Sequence, residues 1–210
     1  MPIMLAILAE AGLFSGAAFL MGRIGAAELA GHTIALQVAA LAFQVPFGIG
    51  QAATIRVGYH FGAGDPGGIR RAGAVALAVT VGFMAIPTAL MWFAPRFVLS
   101  LYVDPYDPVN AAMVGFAVQY MVIAAAFQLF DGLQAVAAGS LRGLQDTRVP
   151  MVIALSGYWL IGISTSLWLG FRTPLEGVGV WIGLAVGLVV VAGGLLWRWH
   201  ARERLGLVPA

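Results

Sequence analysis

Five stretches of this chain, 29–55, 72–94, 108–130, 149–171 and 177–197, contain no Asp, Glu, Lys or Arg, and a sixth, from Met1 to Gly22, is interrupted by Glu10 alone. A helix that crosses the hydrocarbon core of a bilayer needs about 20 predominantly apolar residues. Each run meets that length, and lipid leaves such a segment no way to pair its backbone polar groups except as a helix or a closed barrel. The expected fold is therefore an all-α membrane protein, a single six-helix unit with approximate spans 3–22, 29–60, 69–94, 108–139, 149–171 and 177–199. Turn residues fall between the runs, in "GAGDPGG", "VDPYDP" and "RTPLEG", where helix ends are expected. Charged residues are only 10% of the chain and the mean hydropathy is +0.93. A soluble domain carries about a quarter charged residues, so these proportions exclude one. The first run has no basic residues ahead of it and an acid in its middle, which excludes an ordinary cleaved signal peptide.

Arginine placement sets the orientation. All eleven basic residues are Arg. With a cytoplasmic N-terminus, the cytoplasmic flanks hold Arg56, Arg70, Arg71, Arg142, Arg148, Arg198, Arg202 and Arg204, against Arg23, Arg96 and Arg172 on the other side. The positive-inside rule thus predicts both termini in the cytoplasm. The chain has no Cys, so disulfides and thiolate metal sites are excluded, and a net charge of +2 is too small for a nucleic-acid footprint.

Two acids lie where acids are expensive. Glu10 is nine residues into the first span, and Asp131 precedes Arg142 by eleven. At 1.5 Å per residue these are depths of roughly 14 and 17 Å, about half the ~30 Å hydrocarbon thickness. An acid at that depth needs a cavity, a partner, a proton or a cation. Gln128, Asp131 and Gln134 are spaced by three and share a helical face. Gln37, Gln44 and Gln51 recur every seven residues, a stripe that drifts only ~20° per heptad. Together these predict a polar, water-accessible interior lined by Gln37, Gln44 and Gln134. Pro46 and Pro87 interrupt the second and third spans, as in the broken helices of transporters.

Several motifs fail their structural context. "GAGDPG" follows a membrane span rather than a strand, so it is no dinucleotide fingerprint. Its Gly-Ala-Gly-Asp and the Tyr106–Asp107 pair lie in loops on opposite faces, which excludes an intramembrane aspartyl protease. There is no Lys and hence no Walker A loop. His32, His60 and His200 lie at different span ends without metal-ligand spacing, and Ser140 has no His or Lys base near it in sequence. An enzyme is not expected.

The loops carry a resemblance. "GHTIALQVAALAFQVPFGIGQAATIRVGYHFGAGDPGGIRRAG" resembles the second helix and following turn of each lobe in the multidrug and toxic compound extrusion (MATE) family. "AVAAGSLRGLQDTRVPM" resembles that family's cytoplasmic turn, usually a variant of R-G-x-G-D-T-R-x-P. The similarity covers nearly the whole chain, and an acid early and another late mark it as the C-terminal lobe. The resemblance implies a multi-pass protein of the bacterial plasma (inner) membrane. Its function would be secondary active efflux of small amphipathic or cationic compounds in antiport with H+ or Na+, without a cofactor. The family's coupling-ion roles map onto Glu10 and Asp131, which makes these two the candidate Na+ ligands. Arg142, Asp146 and Arg148 are expected to form a charged cluster in one cytoplasmic turn, and Asp65 with Arg70 and Arg71 in the other. Gly62, Gly64 and Gly143 are expected to permit tight backbone geometry.

Two departures stand out. Gln145 occupies the position where the family's turn has Gly before Asp. Six spans are half of the family's twelve, so the chain is expected to be a fragment or a half-size protein working with a second six-helix lobe. Two alternative readings remain open: a flippase for lipid-linked precursors or a polysaccharide exporter of the same superfamily, and a membrane subunit that does not transport.

Overall fold

The computed structural model describes residues 1–208, and among these six helices are long and apolar enough to cross a membrane. They are built from α1 (Pro2–Ile24), α2 (Ala26–Gly62), α3 (Pro66–Phe93), a short α4 (Pro95–Leu99), α5 (Ala111–Gly143), α6 (Arg148–Leu155), α7 (Ser164–Arg172) and α8 (Glu176–His200). A single 3₁₀ turn, Pro108–Asn110, leads into α5. The fifth span is composite, because a π-helical segment, Ser156–Ile163, joins α6 to α7. Proline opens α1, α3 and α4, where its missing N–H would have had no intrahelical partner. Within α2 and α3, Pro46 and Pro87 do not break the helix. The expected interruption lies instead in the fifth span.

α5 is the central element and packs on α2, α3 and α8. It runs parallel to α2, and small residues let the two backbones meet. A Cβ at Gly50 would lie 2.8 Å from the Ala135 carbonyl oxygen, and one at Gly143 would lie 2.8 Å from that of Thr54. The Thr54 hydroxyl donates to the Gly139 carbonyl at 2.9 Å, bridging the two helices. Close approach through small residues, with hydroxyl cross-links, is how helices associate where lipid supplies no hydrophobic drive. The buried side chains around α5 include Leu13, Met21, Tyr120, Phe127, Leu141, Tyr158 and Trp181. Tyr120 and Phe127 both stack on Trp181, with centroids 5.6 and 5.9 Å away.

The two turns that follow the parallel pair are built alike. At the end of α2, Gly64 has φ +64°, its N–H donates to the Phe61 carbonyl, and the Asp65 N–H donates to that of His60. At the end of α5, Gln145 has φ +63°, its N–H donates to the Arg142 carbonyl, and the Asp146 N–H donates to that of Leu141. Both are Schellman caps, a left-handed residue followed by a bond back to the last full turn. Each places an Asp immediately after the left-handed residue. The substituted Gln145 therefore keeps the geometry that glycine adopts without strain. Gly62 is helical, with open space where a Cβ would sit, and Gly143 serves the contact with α2 rather than the turn. Of the three glycines expected to shape turns, Gly64 does so.

Candidate functional site

The first span places Glu10 against the fifth. Gly12 and Gly16, four residues apart on α1, meet Trp159 and Ile163 of the π segment. The Trp159 indole N–H donates to the Ala9 carbonyl at 3.2 Å, beside Glu10. A π turn carries an extra residue per turn and re-aims the side chains on its face, and such turns recur at functional sites. Here Tyr158, completely buried, donates its hydroxyl to the Gln134 side-chain oxygen of α5. Gln134 in turn shares a cavity wall with Glu10.

One cavity of about 390 Å³ joins these groups. Its lining includes Glu10 from α1, Gln51 from α2, Asp131, Gln134 and Arg142 from α5, Asp146 from the following turn, and Tyr158. Exposed Ile3, Ile7 and Phe47 also line it, so it opens between α1 and α2. The rest of the wall is mainly apolar, with Phe14, Leu36, Phe43 and Phe127. Glu10 and Asp131, on different helices, both line this cavity. Asp131 is 6% exposed, and its Oδ1 has no hydrogen-bond partner among the described residues. Both amide atoms of Gln128, one turn away, are buried and equally unpartnered. A carboxylate oxygen buried without a partner in an apolar span calls for a proton or a cation.

Gln37 and Gln44 do not line this cavity; both lie on α2 off its lining face. The lining residues of that helix are Leu36, Ala39, Ala40, Phe43, Phe47, Gly50 and Gln51. The heptad drift of about 20° explains the split. It starts Gln37 well off the cavity face and carries Gln51 onto its edge.

The charged turns pair differently from expectation. Asp146 takes Arg198 of α8 as its partner, at 2.5 Å with both side chains largely buried, while Arg148 is exposed and Arg142 lines the cavity. The pair ties the α5–α6 turn to the last span. Asp65 accepts from the Gly68 N–H at 2.8 Å, capping α3, and contacts His60 Nδ1 at 3.1 Å. Arg70 and Arg71 are exposed and make no ion pair with it. The bond from Gly68, with the nearby His60 and Arg71 charges in support, holds the Asp65 carboxyl below its ordinary value. Sequence reading thus missed His60, Tyr158 and Arg198. Only Arg198 carried a signal, as a charge at the end of an apolar run.

Six packed spans around a mainly apolar cavity, with Glu10 and Asp131 both on its wall, define one lobe of a multi-pass membrane transporter. The family model for MatE matches residues 2–168, and the chain belongs to that family. It is 48% identical over 205 residues to "Probable multidrug resistance protein NorM" of Mesorhizobium japonicum, covering 98% of this chain and 44% of that protein. It is 47% identical over 201 residues to "Multidrug resistance protein NorM" of Burkholderia vietnamiensis, covering 96% and 44%. The eukaryotic MATE transporter AtDTX14 superposes with a TM-score of 0.85 at 26% identity, over 97% of this chain and 47% of that one. The chain therefore spans about half the length of the curated relatives it matches.

Proposed function

We propose that this lobe couples an ion gradient to the export of amphipathic, often cationic, compounds, with Glu10 and Asp131 taking up H+ or Na+. The observation that carries the reading is the convergence of these two acids, from α1 and α5, on one cavity with Gln134 and Tyr158. A ligand shifts a conformational equilibrium only by binding its two states differently. Two carboxyls on separate helices provide that difference, because a proton or Na+ relieves their mutual repulsion and lets α1 and α5 close. An empty, charged pair instead favours the open state and a cationic guest. The opening between α1 and α2 is the side on which a second six-helix lobe would complete the substrate path.

The charge balance of the cavity disfavours a pyrophosphate-linked lipid as substrate. Two carboxyls, Glu10 and Asp131, face one guanidinium, Arg142, while Asp146 is already matched by Arg198. The test is dye efflux from everted membrane vesicles carrying the full-length transporter. Imposing a H+ gradient and a Na+ gradient separately identifies the ion. Glu10→Gln and Asp131→Asn are each expected to abolish gradient-driven efflux while membrane insertion is retained. Efflux unchanged in both would contradict the mechanism and favour a subunit that does not transport.

A further inference from the structure

A second concavity, of about 470 Å³, lies on the outer face of the α2–α3 hairpin, away from the acids. Its residues follow helical spacing on both elements: Ile49, Ala52, Ala53, Arg56 and His60 on α2, with Arg71, Ala72, Val75, Ala76 and Val79 on α3. Because the helices are antiparallel about the Gly64 turn, the cations gather at one end and the apolar residues at the other. From Arg71 to Val79 is eight residues, and from Arg56 to Ile49 seven, so the apolar trough is roughly 10–12 Å deep at 1.5 Å per residue. Ala53, Ala72 and Ala76 form its floor, with exposed Ala52 on the α2 side and exposed Val75 and Val79, 62% and 52% accessible, on the α3 side.

The cations are available to a ligand. Arg56 and Arg71 are exposed and make no ion pair or hydrogen bond among the described residues. The nearest acid, Asp65, is already engaged by the Gly68 N–H and His60. Two free guanidiniums against one committed carboxylate leave the mouth net positive. The spans place this mouth where the helices leave the hydrocarbon core, at headgroup level, with the trough running into the core.

The geometry points to a binding site for one anionic phospholipid, its phosphate on Arg56 and Arg71 and an acyl chain lying along the trough. Arginine forks match phosphate oxygens, and basic pockets between spans at the cytoplasmic face suit acidic headgroups. The site is independent of the efflux reading, since none of its residues lines the acid cavity.

The test is native mass spectrometry of the purified full-length protein after incubation with mixed micelles of phosphatidylglycerol and phosphatidylcholine. One phosphatidylglycerol is expected to stay bound in preference to phosphatidylcholine, and millimolar inorganic phosphate is expected not to displace it. The double variant Arg56→Gln/Arg71→Gln is expected to weaken retention by about thirtyfold, from the usual contribution of each basic residue near an acidic headgroup. Ala52→Phe, at an exposed position, fills the trough with both cations intact, and is expected to reduce retention as well. Thermal unfolding of each variant establishes that it is folded. Equal retention of the two lipids, displacement by phosphate, or full retention by either variant would overturn the assignment. So would absence of bound lipid from the wild type, as when a second lobe covers this face.

Discussion

Replacing Gln145 by glycine should stabilise the lobe by about 1 kcal/mol. The residue sits at φ +63° in the Schellman cap of α5, where an L side chain crowds its own backbone at a cost of roughly 1–2 kcal/mol. Glycine removes that strain, but it gives back part of the gain through a more flexible unfolded chain. The other turn supplies the reciprocal experiment. Gly64 has φ +64°, and no neighbouring atom lies within 4 Å of where its Cβ would sit, so Gly64→Ala isolates the backbone effect from any clash. It should lose about what Gln145→Gly gains. For a protein of this size 1 kcal/mol corresponds to about 2–4 °C in Tm. Thermal unfolding in detergent micelles, followed by tryptophan fluorescence, gives both shifts. Gln145→Val, β-branched at the same φ, should shift Tm in the direction of Gly64→Ala. A Gln145→Gly protein no more stable than wild type, beside a clearly destabilised Gly64→Ala, would refute the claim that both turns hold the same strained conformation.

Arg198→Ala should destabilise by about 2–4 kcal/mol, since it strands the largely buried Asp146 carboxylate, whereas Asp146→Leu/Arg198→Met should recover most of that loss in the same unfolding assay. Tyr158→Phe removes the donor to Gln134 and should impair gradient-driven efflux more than membrane insertion, as transport and surface-labelling assays of one preparation would show. At the α2–α3 turn, a carboxyl held below its ordinary value lends stability that is present above 3.8 and lost as pH falls through the lower folded value. Amide-exchange protection of Gly68 should accordingly persist through the ordinary carboxylate range and collapse only in stronger acid, and Asp65→Ala should abolish it at every pH.

The spans were legible because lipid tolerates so few residue types over twenty positions, and because Gly, Pro and Asp collect at the gaps. Glu10 and Asp131 were legible for the same reason, since an acid stands out against an apolar run and its depth follows from counting residues. Partner choice was not. Asp146 sits two residues before Arg148 and four after Arg142 in sequence, yet the reversal of the chain through Gln145 turns its side chain to Arg198 on the last span. The glutamine stripe misled because a seven-residue repeat and a 3.6-residue turn diverge, so that only Gln51 reaches the cavity. Nor does any residue of "SGYWLIGI" announce a π turn. The segment packs against α1 and α8, long-range contacts that no local pattern encodes.

The central claim is that Glu10 and Asp131 link ion uptake to substrate release. The most direct measurement is equilibrium binding of a fluorescent lipophilic cation to the purified full-length transporter, titrated with acid and, separately, with Na+. One of these ions is expected to weaken cation binding in the wild type, and Glu10→Gln/Asp131→Asn is expected to bind the probe weakly and without regard to either ion. A double variant whose binding responds to the ion as steeply as the wild type would contradict that claim.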